Sequence, residues 1–298
     1  MKKEYVMIIA AALLYGTITP GGHFFINLGL SVFELSFYRL LFIFFTVLPF
    51  AFTTQISSTF SKDTLYFFTA YGLIGAILEV LQFTSLYFGT PVAVVALLLY
   101  TQPIWTVLFG KLILDEAITK RKAIAILVSL LGVYILLQPW EVESKVSFWG
   151  TVPSLIAGIF LALWVVWGRR SSISNIPYVI TTLGWSFFSA LWLMLIWVVL
   201  SFIIHNNELL RFSIELPITY WIYMALFGLI GGVIPSLLFY RGLEEVQASI
   251  AGILLLIEPV SASFIALLLF EQPIDMETIF GGGLILLSNY MVLRGQTP

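Results

Sequence analysis

Two similar segments of this chain, ALLLYTQP at residues 96–103 and GILLLIEP at residues 252–259, indicate its fold. The two copies are 156 residues apart, and the same offset aligns residues 71–138 with residues 227–294. The alignment also pairs Gly72 with Gly228, Gly75 with Gly231 and, after a shift of one residue, Glu116 with Glu271. A long self-similar segment predicts two copies of one structural unit.

The composition places these repeats in a membrane. Of the 298 residues, 60% are hydrophobic and only 10% are charged, and the mean hydropathy is +1.03, whereas soluble domains carry about 25% charged residues. So much apolar surface must face lipid, which excludes an ordinary soluble enzyme and a nucleic-acid binder. The chain has no cysteine and only two histidines, so we expect no thiolate or histidine-rich metal centre and no cofactor.

Ten segments are long and apolar enough to cross a bilayer, which takes about 20 residues. The first of them is too long for a cleaved signal peptide, so we interpret it as a retained helix. The predicted spans cover residues 5–28, 33–53, 64–88, 91–113, 120–138, 148–168, 177–204, 219–241, 246–270 and 276–294. The predicted fold class is an all-α polytopic membrane protein.

The loop charges predict how the spans are oriented. If the N-terminus is cytoplasmic, eleven Lys and Arg residues lie on the cytoplasmic side and three on the outer side. Short cytoplasmic loops are enriched in Lys and Arg. We therefore expect a multi-pass protein of the cell membrane with both termini in the cytoplasm.

Each repeat holds five helices, an odd number, so the second repeat must be inverted relative to the first. The loop after the fourth helix carries Lys120, Arg121 and Lys122, whereas its counterpart carries Glu271, Asp275 and Glu277 and no Lys or Arg. We predict the two repeats at residues 1–145 and 146–298. Inverted repeats are typical of carriers that open alternately to the two sides of a membrane.

The ten helices in two halves, with a Gln-Pro pair at Gln102 and a Glu-Pro pair at Glu258 in the fourth helix of each half, resemble the EamA-type branch of the drug/metabolite transporter superfamily. The similarity covers nearly the whole chain. It implies a central cavity formed mainly by helices one, three, four, six, eight and nine, with helices five and ten at the periphery.

Glu79 lies near the middle of the third predicted span, and an intramembrane carboxylate calls for a functional or structural reason. It shares a helix face with Gly72, Gly75 and Gln82. We interpret Glu79 and Gln82 as candidates for substrate binding or proton coupling. The alternative for Glu79 is a structural partner of His23 or Arg39. Arg39 itself is interpreted as an outer-boundary residue whose side chain extends to water, with an ion pair to Glu34 or Glu79 as the alternative.

Glu258 and Gln102 each precede a proline, Pro259 and Pro103. Proline removes a backbone donor and frees a carbonyl about one turn earlier. A polar side chain beside such a break can face a cavity or satisfy the loosened backbone. We therefore include Glu258 and Gln102 among the substrate-binding candidates and both prolines among the positions of helix kinks, with a purely architectural role as the alternative.

Helix one carries three further candidates. Pro20 and the two glycines after it predict a kink or an unwound segment near mid-membrane, where carriers with broken helices bind substrate. Tyr15 and His23 lie on one helix face, and His23 would titrate near neutral pH. A hydrogen-bonded histidine near the outer end is the alternative.

Aromatic side chains supply the remaining candidates. Trp164 in helix six and Tyr100 in helix four are candidates for a cavity wall, because aromatic walls bind apolar and cationic ligands. Most other aromatic residues are expected to face lipid or the interface. Pro235 in helix eight aligns with Glu79 in the repeat and is a candidate gate or wall residue.

The predicted function is secondary transport of a small metabolite, an amino acid or a related zwitterion or cation, with export favoured over import. The expected partners are this substrate, a coupling proton as one option and the lipid bilayer, without nucleic acid, and the chain is expected as a monomer or homodimer. The alternatives are a membrane-embedded enzyme acting on lipid or peptide, or a channel. No G-x-S-x-G, H-E-x-x-H or intramembrane Asp pair supports the enzyme, and no filter sequence supports the channel.

Overall fold

The computed structural model describes residues 2–52, 61–141, 148–203, 208–270 and 275–294, without the side chains of 148, 149 and 266–270. Within these residues the chain forms helices and no strand. Ten helical segments are long and apolar enough to cross a membrane. The predicted all-α fold with ten membrane helices is therefore confirmed, while Glu271 and the predicted repeat boundary at 145/146 lie outside the described residues.

We number the membrane-crossing segments span 1 to span 10. In the first half the helices are Lys3–Tyr15 and Ile18–Asn27 (span 1), Val32–Ala51 (span 2), Lys62–Tyr87 (span 3), Val92–Leu99 and Gln102–Leu114 (span 4), and Lys120–Leu137 (span 5). In the second half they are Phe148–Ile173 (span 6), Tyr178–Ile203 (span 7), Ile218–Gly228 and Ile234–Gly242 (span 8), Ala248–Leu254 and Glu258–Phe270 (span 9), and Met276–Arg294 (span 10).

Because ten spans is an even number, both ends of the chain lie on one side of the bundle. We call it the terminal side and the opposite side the far side. Span 1 runs from the terminal side to the far side, span 2 runs back, and the direction alternates from there.

The packing of the spans repeats between the two halves. Span 1 packs on spans 8 and 9, and span 6 packs in the same way on spans 3 and 4. Spans 2 and 7, 4 and 9, and 5 and 10 pack on each other. Each contact in the first half thus has a counterpart in the second half, with spans 1 to 5 equivalent to spans 6 to 10. Two inverted five-helix repeats require this correspondence. Spans 5 and 10 pack chiefly on each other at the periphery, as the resemblance implied.

Within the described residues four spans are interrupted, and a proline follows each interruption. Span 1 breaks at Gly16–Thr17 and span 4 at Tyr100–Thr101, while span 8 contains a π-helical turn and span 9 a 3₁₀ turn. Pro20, Pro103, Pro235 and Pro259 lie in the first turn of the helix that resumes after each break. Each proline removes the hydrogen bond to the carbonyl four residues earlier, so the break in span 1 lies one turn before the predicted Pro20–Gly22 segment.

Span 6 is longer than predicted. The expected end at residue 168 is wrong, since the helix continues to Ile173. It ends where Asn175 takes a positive φ of 57°, the left-handed conformation that often follows a helix C-terminus. The extra turn places the Arg169 guanidinium within 2.5 Å of the Leu243 carbonyl oxygen, which ties span 6 to the turn after span 8.

Candidate functional site

A small cavity lies in the middle of the bundle. Its volume is about 50 Å³, room for a few water molecules. Its walls come from spans 1, 3, 4, 6, 8 and 9, as predicted, and also from spans 2 and 7. The polar side chains that line it are Tyr15, Arg39, Glu79, Gln82, Ser236 and Glu258.

Arg39 and Glu79 form a buried ion pair in this cavity. The guanidinium donates through Nε to Glu79 Oε2 at 3.3 Å and through Nη2 to Glu79 Oε1. Only 3% of Arg39 and 1% of Glu79 is exposed. The expectation that Arg39 extends to water at the outer boundary is therefore wrong, because a buried carboxylate one span away compensates its charge.

Arg39 also binds span 8. Its Nη1 donates to the Gly231 carbonyl oxygen at 3.1 Å, and its guanidinium carbon lies 5.9 Å from the centre of the Phe227 ring. Pro235 has no N–H and cannot donate to Gly231, four residues earlier. The proline and the π-helical turn thus leave an acceptor for Arg39, which joins spans 2, 3 and 8 at one point.

Glu258 is the second buried carboxylate of the cavity, with 7% of the residue exposed. It starts the helix after the 3₁₀ turn of span 9, and the Tyr100 side chain lies beside it. Among the described residues it forms no ion pair with a Lys, Arg or His. The described charges of the cavity are therefore two carboxylates against one guanidinium.

Aromatic rings form the terminal-side wall of the cavity. The Trp164 ring stacks on Phe239 at a centroid distance of 5.0 Å and meets the Trp185 ring edge-on at 5.6 Å. The Tyr15 hydroxyl lies 3.2 Å from Ser236 Oγ. Within the described part of the chain, the indole N–H groups of Trp164 and Trp185 have no hydrogen-bond partner, so two donors in the wall are unused.

Three of the eight predicted substrate-binding residues do not line the cavity, and neither do the four predicted kink prolines. His23 is exposed, and the Asn27 amide nitrogen lies 3.3 Å from its Nδ1. The Gln102 amide donates to Thr106 Oγ1 at 2.7 Å in the interface between spans 4 and 9. Tyr100 is buried behind Glu258 rather than in the cavity wall.

Trp185 and Ser236 both line the cavity but are not among the residues predicted from the sequence. Ser236 directly follows Pro235, a signal that could have found it. Trp185 lies in span 7, which the family resemblance did not assign to the cavity. No local pattern distinguishes it from the many aromatic residues that face lipid.

Aromatic side chains from spans 1, 3 and 8 close the far end of the cavity. Phe25, Phe83 and Phe227 are buried, and the rings of Phe25 and Phe227 lie 5.4 Å apart. Span 1 approaches them closely through glycine, since a Cβ atom on Gly22 would lie 2.4 Å from the Phe83 ring. We call Phe25, Phe83 and Phe227 the far closure.

Two hydrogen-bonded tyrosines close the terminal end. The Tyr71 hydroxyl donates to the Trp164 carbonyl oxygen at 2.9 Å and lies 2.7 Å from the Tyr240 hydroxyl. Both tyrosines are fully buried. Span 6 meets them at Gly168, where a Cβ atom would lie 2.8 Å from the Tyr240 ring. We call Tyr71, Tyr240 and Phe239 the terminal closure.

The repeat relates the two closures. At the offset of 156 residues, Tyr71 corresponds to Phe227 and Phe83 to Phe239. Each pair has one member in the far closure and one in the terminal closure. The two ends of the cavity are therefore built from equivalent positions of spans 3 and 8, as inverted repeats require.

A carboxylate outside the cavity ties the halves together on each side. On the far side, Glu34 accepts from the Ser31 amide at 2.7 Å and from the Ser213 amide at 2.8 Å. On the terminal side, Glu116 accepts from the amides of Ala248 and Ser249 at 2.6 and 3.0 Å. These amides belong to the first turn of span 9, where a helix favours negative charge.

Comparison with protein-family models gives one match that spans nearly the whole chain. The model described as the EamA-like transporter family matches residues 2–138 and again residues 148–294. The two matched segments correspond to the two five-helix repeats.

Two curated relatives of similar length are both named uncharacterized transporter. One, from Archaeoglobus fulgidus, is 26% identical over 287 residues, covering 96% of this chain and 94% of the relative. The other, from Clostridium kluyveri, is 25% identical over 291 residues, covering 94% and 90%. A solved crystal structure superposes with a TM-score of 0.76 over 99% of both chains at 16% identity, a likeness of fold alone.

Proposed function

We propose that this chain carries a small zwitterion or cation, such as an amino acid, across the membrane by alternating access. The chain belongs to the EamA-like transporter family. The resemblance deduced from the repeat is confirmed by this membership. The protein is a multi-pass membrane transporter for a small molecule, and the cavity supports the finer proposal.

The observation that carries the proposal is a charged, aromatic cavity closed at both ends by aromatic residues, two of which in each closure occupy equivalent positions of the repeat. Its volume of about 50 Å³ is below the roughly 300–1,000 Å³ of pockets that enclose small-molecule ligands. A substrate would therefore enter only when one end opens and the walls move apart. Equivalent closures at two ends provide two such exits, whereas a channel needs one continuous pore.

The charges of the cavity support a substrate with a positive nitrogen. Arg39 and Glu79 neutralise each other, and Glu258 adds one negative charge. The Trp164 and Trp185 rings favour a cation or an apolar group. A zwitterion would place its ammonium group toward Glu258 and its carboxylate toward Arg39.

We place the terminal side in the cytoplasm and propose export through the cell membrane. Eleven of the fourteen Lys and Arg residues lie on the terminal side of the predicted topology, as the positive-inside rule favours. The two repeats, residues 1–145 and 146–298, would act as the exchanging units. Either a proton gradient or the substrate gradient would drive the cycle.

Counterflow in liposomes tests the proposal. Purified protein would be preloaded with one unlabelled member of a panel of amino acids, amines and nucleoside derivatives, and uptake of the same labelled compound followed. A carrier accumulates label transiently, and only in preloaded vesicles. Protein-free liposomes are the control.

The absence of counterflow for every compound would contradict the proposal. Uptake that is independent of preloading would favour a channel. Chemical turnover of a lipid or peptide without movement across the bilayer would favour an enzyme.

A further inference from the structure

We propose that Glu258 is the site at which this carrier exchanges charge, because the ammonium group of the substrate and a proton occupy its carboxylate in turn. The carrier is then an antiporter of amines and protons. This inference rests on the proposed transport function and names its substrate class and coupling ion.

The first step of the argument is the pairing of the other charges. Three donor atoms of Arg39 are committed, two of them to Glu79 and one to the Gly231 carbonyl oxygen. The ion pair with Arg39 compensates the negative charge of Glu79. Glu258 forms no ion pair with any described cationic side chain, and the nearby Arg39 is already paired with Glu79.

An uncompensated charge in the middle of a membrane protein is costly. Glu258 lies ten residues beyond Ala248, the start of span 9 on the terminal side, which at 1.5 Å per residue is about 15 Å into the bilayer. The cost is relieved when the carboxylate binds a proton or a cation. Glu258 is therefore a site for one or the other in each state of the cycle.

The groups around Glu258 leave room for such an exchange. The titratable or charged side chains that face it in the described structure are Tyr15 of span 1, Arg39 of span 2, Glu79 of span 3 and Tyr100 of span 4. Tyrosine hydroxyls do not supply a positive charge. The Trp164 ring lines the same cavity and favours a cationic nitrogen near it.

The repeat does not duplicate the carboxylate of Glu258. The position equivalent to Glu258 in the first half is Gln102, a neutral side chain whose amide already donates to Thr106 Oγ1. The pseudo-symmetric architecture therefore carries one exchange carboxylate rather than two. We expect a single proton-binding event per cycle.

The exchange balances as follows. On one side of the membrane the substrate ammonium binds the Glu258 carboxylate, and the proton held there is released to the same side. On the other side a proton binds Glu258 and the ammonium dissociates. Each cycle moves one ammonium group in one direction and one proton in the other, and no covalent bond other than the carboxyl O–H forms or breaks.

Infrared difference spectroscopy of the full-length protein in detergent tests this directly. At neutral pH the ligand-free wild type should show the band of a protonated carboxyl group, because Glu258 then holds its proton while the exposed carboxylates are ionised. Addition of L-phenylalaninamide, a cation with an aromatic ring, should remove the band and release protons to the medium. Addition of 3-phenylpropionate, an anion with the same ring, should do neither.

Variants identify the carboxyl group. Glu258→Gln should lose both the band and the proton release, whereas Glu258→Asp should retain both. Glu277→Gln makes the same acid-to-amide change at an exposed position and should behave as the wild type. A band that persists in Glu258→Gln, or that L-phenylalaninamide leaves unchanged in the wild type, overturns the inference.

A transport assay distinguishes failure of the proton exchange at Glu258 from failure of the proposed transport function. Liposomes loaded with a pH-sensitive dye should record proton movement opposite to amine movement. Counterflow in the wild type without any proton movement would refute the exchange at Glu258 and leave the carrier intact. The absence of counterflow itself would refute the carrier.

Discussion

The two ends of the cavity are built from equivalent positions but are held by different chemistry. At the far closure, Phe227 lies against Arg39. The Arg39 guanidinium forms an ion pair with Glu79 and a hydrogen bond to a backbone carbonyl of span 8. At the terminal closure, Tyr71 and Tyr240 are joined by neutral hydroxyl groups. The same fold thus has a charged contact at one end and an uncharged one at the other.

This difference indicates how a substrate would select an end to open. The Arg39–Glu79 pair lines the cavity, so a substrate carboxylate can compete with Glu79 for the guanidinium. The tyrosine hydroxyls offer no charge for which a substrate would compete. We therefore expect a charged ligand to act mainly on the far closure.

The largest effect is expected at the ion pair. Arg39→Met leaves Glu79 as an unpaired buried carboxylate, which costs about 3–5 kcal/mol. Thermal unfolding in detergent should show a large loss of stability, and Arg39→Met combined with Glu79→Gln should recover most of it. A double variant no more stable than the single one would contradict a specific pairing.

A smaller loss of stability is expected from adding a methyl group beside the aromatic rings of the two closures. Gly22→Ala places a methyl group 2.4 Å from the Phe83 ring and Gly168→Ala one 2.8 Å from the Tyr240 ring. Overpacking of this kind costs about 1–3 kcal/mol. Gly89→Ala, where a Cβ would meet nothing but φ is 72°, is a control for backbone strain alone.

In transport assays each closure variant should slow exchange, because one end of the cavity could then no longer close fully. Equal rates for Gly22→Ala, Gly168→Ala and the wild type would mean that these contacts do not act as closures.

Loss of the tyrosine contact should destabilise the protein less than loss of the ion pair. Tyr240→Phe removes one hydroxyl while Tyr71 keeps its bond to the Trp164 carbonyl oxygen, so a loss of about 1 kcal/mol is expected. Tyr223→Phe, at an exposed ring, is the matched control. A loss as large as that of Arg39→Met would remove the contrast between the two ends.

The smallest effect is expected at a far-side contact remote from the cavity. The Gln138 amide lies 2.5 Å from Asp275 Oδ2 and lowers the pKa of that carboxyl. Because the folded state favours the charged form, this contribution is present at neutral pH and is lost as the pH falls through the lowered pKa.

Gln138→Ala should therefore lower the unfolding temperature slightly at neutral pH and not in acid, with no effect on transport. A transport defect in this variant would show that far-side contacts outside the cavity also control the cycle.

Much of the fold could be predicted from the sequence, because hydrophobic length and loop charge are local properties. The ten spans and the doubled segment at residues 96–103 and 252–259 needed no tertiary information. The partner of Glu79 remained one of several alternatives, since Arg39 lies 40 residues away on another span. Only packing decides such a pairing.

The role of Pro235 illustrates the same limit. The sequence indicated a kink aligned with Glu79, but the freed Gly231 carbonyl and its bond to Arg39 depend on how span 2 packs on span 8. The predicted role of His23 depended on a continuous helix. Its spacing from Tyr15 matches a helix face, but the break at Gly16–Thr17 interrupts that face and leaves His23 exposed.

If one cavity opens alternately to the two sides of the membrane, a cysteine in place of Ser236 should be accessible from both sides in turn. The chain has no cysteine, so Ser236→Cys introduces a single thiol into the cavity wall. In oriented vesicles a membrane-impermeant maleimide should label it from both sides, and a transported substrate should change the two rates in opposite directions. Labelling from one side only, with and without substrate, would contradict alternating access.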